Sequence, residues 1–302
     1  MQWTIGQVKI TSIVEMELTD LNDIIWGAKR QAVQAIAWLV PHFAEPDGFL
    51  KGVIQCFVIE TPTRTIVVDT CIGDGKDRHL FNHWDRLSTG FLERFHAAGF
   101  RREKVDCVLC THMHVDHVGW NTMWDGSQWV PTFPGARYLF ARTEFDHWKT
   151  QNAGPHADPA TATSSRESGA IRFAQTQVQV HRDSVQPIVD SGLADLVSSE
   201  HQVCEEVRLV PTPGHTPGHV SVMISSRGQE GVITGDCIHH PCQLARPEWF
   251  SVADHDGKMS TATRRELFAR VASRKTLLVG THFTAPTAGY LEADGDGYKL
   301  KQ

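Results

Sequence analysis

Apolar and polar positions alternate from residue 8 to 15, which predicts an opening strand. The stretch 20–50 is less regular: AKRQAVQAIAWLV has helical character and PHFAEPDGFLKG reads as loop. GVIQCFVIET and RTIVVDT predict two strands joined by a turn at Pro62-Thr63-Arg64. A helix is expected around 90–98. The run VDCVLCT is of the buried-strand type and ends directly on THMHVDHVGW. ARYLFA predicts another strand, and EFDHWKT starts a helix. Residues 150–186 are polar, with Gly, Pro, Ser and Ala, and read as an inserted surface region of helix or loop. EEVRLVPTPG, VSVMISS, GVITGD and TLLVGTH return to strand character. Between the last two, TATRRELFARVAS places Leu267, Phe268 and Val271 at helical spacing. The tail ADGDGYKLKQ reads as a hairpin-like or frayed end. There is no short-period repeat and no Pro/Ser-rich linker, so one two-sheet α/β domain over 1–302 is expected. It would carry an N-terminal extension (about 18–50) and an insertion (about 143–190).

Composition narrows this picture. The length of 302 residues is about twice that of a common ~150-residue domain. Lys+Arg is 29 and Asp+Glu 35, a net charge of −6, without the broad positive field that phosphate-backbone binding needs. Hydrophobic residues at 41% and charged residues at 21% exclude disordered and collagen-like classes. No apolar run approaches the roughly 18–20 residues of a membrane span, and the start lacks a basic-then-apolar leader. Seven scattered cysteines suit a reducing compartment. The expectation is a cytoplasmic protein with a small-molecule substrate, no nucleic acid and no membrane partner. Cys107 and Cys110, three apart on a strand, point to opposite faces and read as core cysteines rather than a redox pair.

The seventeen histidines are the unusual count, and their placement matters more than their number. His112-Met113-His114-Val115-Asp116-His117 packs three histidines and an aspartate into six residues at the end of a buried strand. In extended chain His112 and His114 project to one side. Asp116 and His117 would then lie at a turn or helix start, with Gly119 allowing a tight backbone turn. Two offset groups of ligands can serve two metal ions. A histidine-rich surface turn is the bland alternative, and the apolar strand that roots the segment argues against it. Three further apolar strands end on a potential ligand: His215 in LVPTPGHTPGH, Asp236 in GVITGD and His282 in TLLVGTH. Taken singly, Asp236 could be a turn former and His215 a structural histidine.

The set HxHxDH, then His, then Asp, then His resembles the metallo-β-lactamase fold superfamily of metallo-hydrolases, and TIVVDT, ending near Asp69, fits the same pattern. The resemblance implies a four-layer αβ/βα sandwich with a dinuclear metal site at one edge of its two sheets. It implies that His112, His114 and His215 bind a first metal, that Asp116, His117 and His282 bind a second, and that Asp236 bridges both. Asp69 would orient a ligand imidazole. Cys237 is not in a ligand position. Imidazole and carboxylate ligands suit two divalent ions, with zinc favoured and Mn, Fe or Co compatible.

The activity so implied is a hydrolase whose metal-bridging hydroxide opens a lactone or cleaves an ester, with Asp116 or Asp236 moving a proton. The pattern lies nearest the N-acyl-homoserine lactonase and methyl-parathion-hydrolase-like branch. Alternatives are an organophosphate triester hydrolase, a thioesterase or an iron-dependent sulfur dioxygenase-like enzyme. The lactonases commonly carry a tyrosine three residues after the bridging aspartate. Here that position is His239, a candidate electrophilic helper or a bystander. Trp26, Trp120, Trp124 and Phe283 are candidate pocket aromatics, of which no more than about half are expected in the pocket. Residues 20–50 could form a lid or a homodimer contact. His219, His240 and His255 receive no role.

Overall fold

The computed structural model describes every residue except 82, 155, 156, 159 and 160, and only the backbone of 165 and 166. The first sheet runs β1 (Gln2–Ile5), β2 (Val8–Thr19), β3 (Lys51–Glu60), β4 (Thr65–Val68), β5 (Cys107–Leu109), then β8 (Arg137–Ala141) and β9 (Ala194–Val197). A separate hairpin, β6 (Thr122–Trp124) and β7 (Trp129–Pro131), follows the histidine-rich segment. The second sheet runs in chain order through β10 (Val207–Pro211), β11 (Val220–Ser226), β12 (Gln229–Ile233), β13 (Leu277–Val279), β14 (Ala288–Asp294) and β15 (Gly297–Lys301). The helices are α1 (Arg30–Gln34), α2 (Phe91–Ala97), α3 (Arg142–Ala153), α4 (Ser165–Val180), α5 (Gln186–Asp190), α6 (Cys242–Ala245) and α7 (Gly257–Arg274).

The two sheets stack face to face, and helices cover the outside of each, giving the four-layer αβ/βα sandwich. Central strands such as β4 and β5 are continuously apolar because both of their faces are covered. In β4, Ile66 and Val68 join Leu109, Leu209, Val222 and Ile233 between the sheets. Val67 turns outward to Val108, Phe91 and Phe95 under α2. On the far side Val232 and Leu278 meet Leu267, Phe268 and Val271 of α7, each worth roughly 1.5–3 kcal/mol of burial. Cys107 in β5 and Cys110 just beyond its end fall in different layers of the core.

Several elements differ from the sequence expectation. The opening strand extends to Thr19, and the helix expected in AKRQAVQAIAWLV shrinks to α1 plus a short 3-10 turn at Ala37–Leu39. Those residues pack their apolar side chains, such as Val33 and Leu39, individually onto the outer core instead of presenting one helical stripe. The tail is a paired hairpin completing the second sheet. Strands β1, β6, β7 and β9 are three or four residues long, too short for periodicity to reveal. Parts of the 143–190 insertion lie outside the described residues. Among the described residues no helix is long and apolar enough to cross a membrane.

A π-helical turn at His181–Val185 joins α4 to α5 and directs Asp183 inward. Arg78 grips that carboxylate with two bonds of 2.7 and 2.8 Å, while Lys76 Nζ lies 3.5 Å away and donates to Thr122 Oγ1. Two cations thus share one carboxylate, and burial, aided by Arg78, lowers the Lys76 pKa to about 7 despite Asp183. Between pH 7 and 10.5 the unfolded chain therefore binds more protons than the folded one, so this site makes stability rise with pH. From pH 7 to 9 the gain is about 2 kcal/mol. Urea denaturation of the metal-free protein should show Lys76→Met gaining that much less over the same interval. Parallel pH dependences in variant and wild type would refute the assignment.

Candidate metal centre

All seven candidate ligands leave the C-terminal ends of β5, β10, β12 and β13, which lie along one edge of the two sheets. After β5 the chain bends at 111–112 and again at 114, then turns over 115–117, in place of the extended segment expected. The bends still bring His112 and His114 together, with ring centroids 4.5 Å apart. Ligand atoms of His112, His114 and His215 lie within 4.8 Å of one another, as do those of Asp116, His117 and His282. Asp236 sits between the two groups. Its Oδ2 is 3.8 Å from His112 Nε2 and 3.4 Å from His215 Nε2. Its Oδ1 is 3.3 Å from His117 Nε2 and 3.0 Å from His282 Nε2.

The donor set is one that could hold two cations. His112 Nε2, His117 Nε2 and Asp236 Oδ1 are buried without a well-directed hydrogen-bond partner, an expensive state for polar atoms that a cation would relieve. Burial and neighbouring imidazoles hold His112 and His114 well below the usual histidine range, leaving them neutral with lone pairs available. Burial also opposes protonation of His117 and His282. There the nearby carboxylates, Asp236 above all, outweigh it and raise both. That second group attracts positive charge, which a bound cation would supply in place of protons.

Outer contacts fix which nitrogen of each ring points inward. His117 Nδ1 donates to Asp69 Oδ2 at 2.9 Å, and Asp69 itself accepts from Thr111 N and Oγ1. His282 Nδ1 donates to Val53 O at 2.9 Å, and His215 Nδ1 to Asp254 Oδ1 at 2.7 Å. His219 lies beneath Asp236. It is held neutral by burial, with a pKa of about 3, and its Nε2 accepts the Asp236 backbone N–H at 2.8 Å. Gly235 has φ +54°, and a Cβ there would meet the His219 ring at 2.6 Å, so this turn requires glycine. Glu144 of α3 accepts from Met113 N, Trp148 Nε1, Thr216 Oγ1 and Gly218 N, clipping the His112–His117 segment to the His215 loop.

The sequence expectations meet this geometry unevenly. His239 faces the site, with Nε2 3.2 Å from Asp236 Oδ2. Cys237 lies in the outer core instead, its thiol pushed up to about 12 by burial. Gly119 does not have the positive φ expected of a tight turn; close backbone packing requires it instead. Trp26 lines the cavity above the centre. The other three proposed pocket aromatics do not: Trp120 is buried against Phe91 with its N–H on Glu15, Trp124 pairs with Trp129 at the surface, and Phe283 packs on Phe43 in the core. Sequence reasoning missed Glu144 and Asp254 as supports, since neither lies in a recognisable short spacing; His219, four residues after His215 in GHTPGH, was visible but received no role.

The cavity has a volume of about 1480 Å³. Its floor is His114, Asp116, His215, Asp236, His239 and His282. One wall comes from residues 18–34, including Ile24, Ile25 and Trp26; another from Phe81, Trp84 and Phe173. Phe173 lies edge-on to His114 with centroids 4.9 Å apart. Backbone bonds from Trp26 N to Phe250 O and Val252 N to Ile24 O hold the first wall in place.

The sequence profile of the Metallo-beta-lactamase superfamily matches residues 51–282. N-acyl homoserine lactonase of Bacillus cereus is 21% identical over 196 residues, covering 60% of this chain and 62% of that protein. N-acyl homoserine lactonase AiiA of Bacillus thuringiensis subsp. kurstaki is 22% identical over 203 residues, covering 62% and 64%. The matches thus span less than two thirds of those relatives' length. Hydrolase AbOPH, in the beta lactamase superfamily, superposes with a TM-score of 0.77 at 23% identity, covering 99% of this chain and 95% of that one. AidC, a dizinc quorum-quenching lactonase, also gives 0.77, at 18% identity over 100% and 96%. These two likenesses show the fold.

Proposed function

This chain belongs to the metallo-β-lactamase superfamily, and from that premise we propose that it is a dinuclear metal-dependent hydrolase that opens lactones or cleaves esters of neutral, fairly apolar small molecules. The observation that carries this reading is the pair of ligand groups sharing Asp236 on the floor of an apolar-walled cavity. His112, His114 and His215 would hold one ion, Asp116, His117 and His282 the other, and Asp236 both. Imidazoles with carboxylates and no thiolate favour zinc. When bound, the two ions supply Lewis acidity at the scissile carbonyl and lower the pKa of water.

The remaining work falls to the chain. The aromatic and aliphatic walls exclude water and hold the apolar part of the substrate against the floor. Asp116 faces the cavity, where its carboxylate can take a proton from the attacking water and return it to the leaving alkoxide. Burial lowers the pKa of His239 and favours its neutral form; its Nε2 faces the centre beside Asp236 Oδ2, from where an N–H on that nitrogen could turn to an oxygen on which negative charge develops. The cavity also exceeds the roughly 300–1,000 Å³ of common ligand sites, which supports substrates with a bulky apolar group. Seven free cysteines, six of them buried, support a reducing, cytoplasmic setting.

The test is metal analysis joined to one hydrolysis panel of aliphatic lactones, acyl-homoserine lactones, p-nitrophenyl esters, methyl parathion, nitrocefin and S-lactoylglutathione. Preference for lactone and ester over thioester and lactam is expected. A dominant thioester or phosphotriester activity would replace the reading. Within it, His239→Ala should lower kcat about 10²-fold while two ions remain bound. Kinetics alongside metal analysis check this, and an unchanged kcat would assign His239 no chemical role.

A further inference from the structure

Behind the ligand loop lies a carboxylate outside the seven-residue pattern. The Asp254 side chain has no solvent exposure. Its Oδ1 accepts the His215 Nδ1 proton at 2.7 Å, and its Oδ2 accepts Ser251 N at 3.1 Å and lies 3.9 Å from Arg264 Nη2. Arg264, from α7, is itself fully buried. Its other bonds go to Cys237 O, Pro247 O, Trp249 O and Ser260 Oγ at 2.8–2.9 Å. Backbone bonds from His255 N to His215 O and Asp256 N to Gly214 O, both 2.9 Å, zip the two loops together. One guanidinium therefore grips both the residue after Asp236 and the segment carrying Asp254.

Resting on the metal-centre reading above, we propose that Asp254 is a positioning residue that fixes His215 in the tautomer whose Nε2 lone pair faces His112 and His114, and that Arg264 holds Asp254 in register with Asp236. An ionised carboxylate only accepts hydrogen bonds, so His215 Nδ1 carries the proton and Nε2 is left as the metal ligand. His114 Nδ1, 2.8 Å from that Nε2, converges on the same point. An amide at 254 is nearly the same shape but can present its NH₂ to His215, which would move the ring proton to Nε2 and block ligation.

Asp254→Asn tests this through metal affinity rather than turnover. Metal-free protein is titrated with zinc against a chromophoric chelator. Wild type should take up two ions, and the variant should lose 10–100-fold in affinity for one of them while the other is unchanged. Equal weakening of both, or wild-type affinity for both, would overturn the proposal. A second measurement needs no folded variant: ¹⁵N-histidine NMR of the wild-type zinc form should show His215 protonated at Nδ1 and bare at Nε2. The opposite tautomer would overturn the proposal alone. A wild type that binds no zinc would instead overturn the metal-centre reading, and this inference with it.

Discussion

Replacing Asp236 with alanine is expected to lower kcat/KM by at least ~10³-fold, about 4 kcal/mol in the barrier, and to reduce bound zinc from two ions to one or none. Asp236 is singled out by its position. Its Oδ2 faces His112 and His215 while Oδ1 faces His117 and His282, so one side chain lies between both candidate ligand groups. The removal also leaves four buried imidazoles facing one another without the carboxylate that outweighs burial at His117 and His282. The pKa of both should then fall, weakening the pull on positive charge that the second group exerts. Asp236→Asn keeps one acceptor oxygen and should retain one ion more readily than alanine does. Metal analysis and steady-state kinetics on the same preparations check this. An alanine variant with two tightly held ions would show that the two groups do not share this carboxylate.

The largest effect on stability is expected from Gly119→Ala. A Cβ at Gly119 would sit 1.8 Å from Ile72 O and 2.7 Å from Cys71 O, both backbone atoms that cannot swing away. The reason is local pairing. Gly119 N donates to Cys71 O, Trp120 N to Thr70 O and Thr70 N to His117 O, all at 2.7 Å, so the two segments run in contact. Alanine must push them apart, at a cost of about 3 kcal/mol or more. Because His117 lies two residues away, second-ion affinity should fall as well. Gly169→Ala is the contrasting case. It lies within α4 with open space where a Cβ would go, and the helix should gain about 0.5–1 kcal/mol. Denaturation of both variants reads the difference. A Gly119→Ala protein as stable as wild type would mean that the close approach to Ile72 is absent.

Where the sequence was readable, short-range order made it so. His112, His114, Asp116 and His117 announce themselves because four donors fall within one turn-sized segment after a continuous apolar strand. His215, Asp236 and His282 become visible only as further members of the same strand-end design. Asp254 and Glu144 carry no such mark: they reach the ligand-bearing segments across 39 residues and across 31 to 74. Residues 18–50 were unreadable for another reason. They bury Val33 and Leu39 one at a time through turns, so neither period two nor period 3.6 appears. Phe283 shows the limit of reasoning by neighbourhood. It follows a candidate ligand, yet it leaves the turn after β13 and its side chain packs on Phe43 in the core. Gly119 is expected from the sequence to permit a tight turn, whereas its close approach to the Cys71 and Ile72 backbone is what requires it.

On the proposed reading, seven side chains hold two ions in one catalytic unit that is inactive without both. Titrating metal-free protein with zinc, while following hydrolysis of the best lactone or ester of the panel, tests it most directly. Activity should rise to a plateau at two equivalents and disappear with chelator. Full activity in the metal-free protein, or a plateau with binding complete at one equivalent, would contradict it.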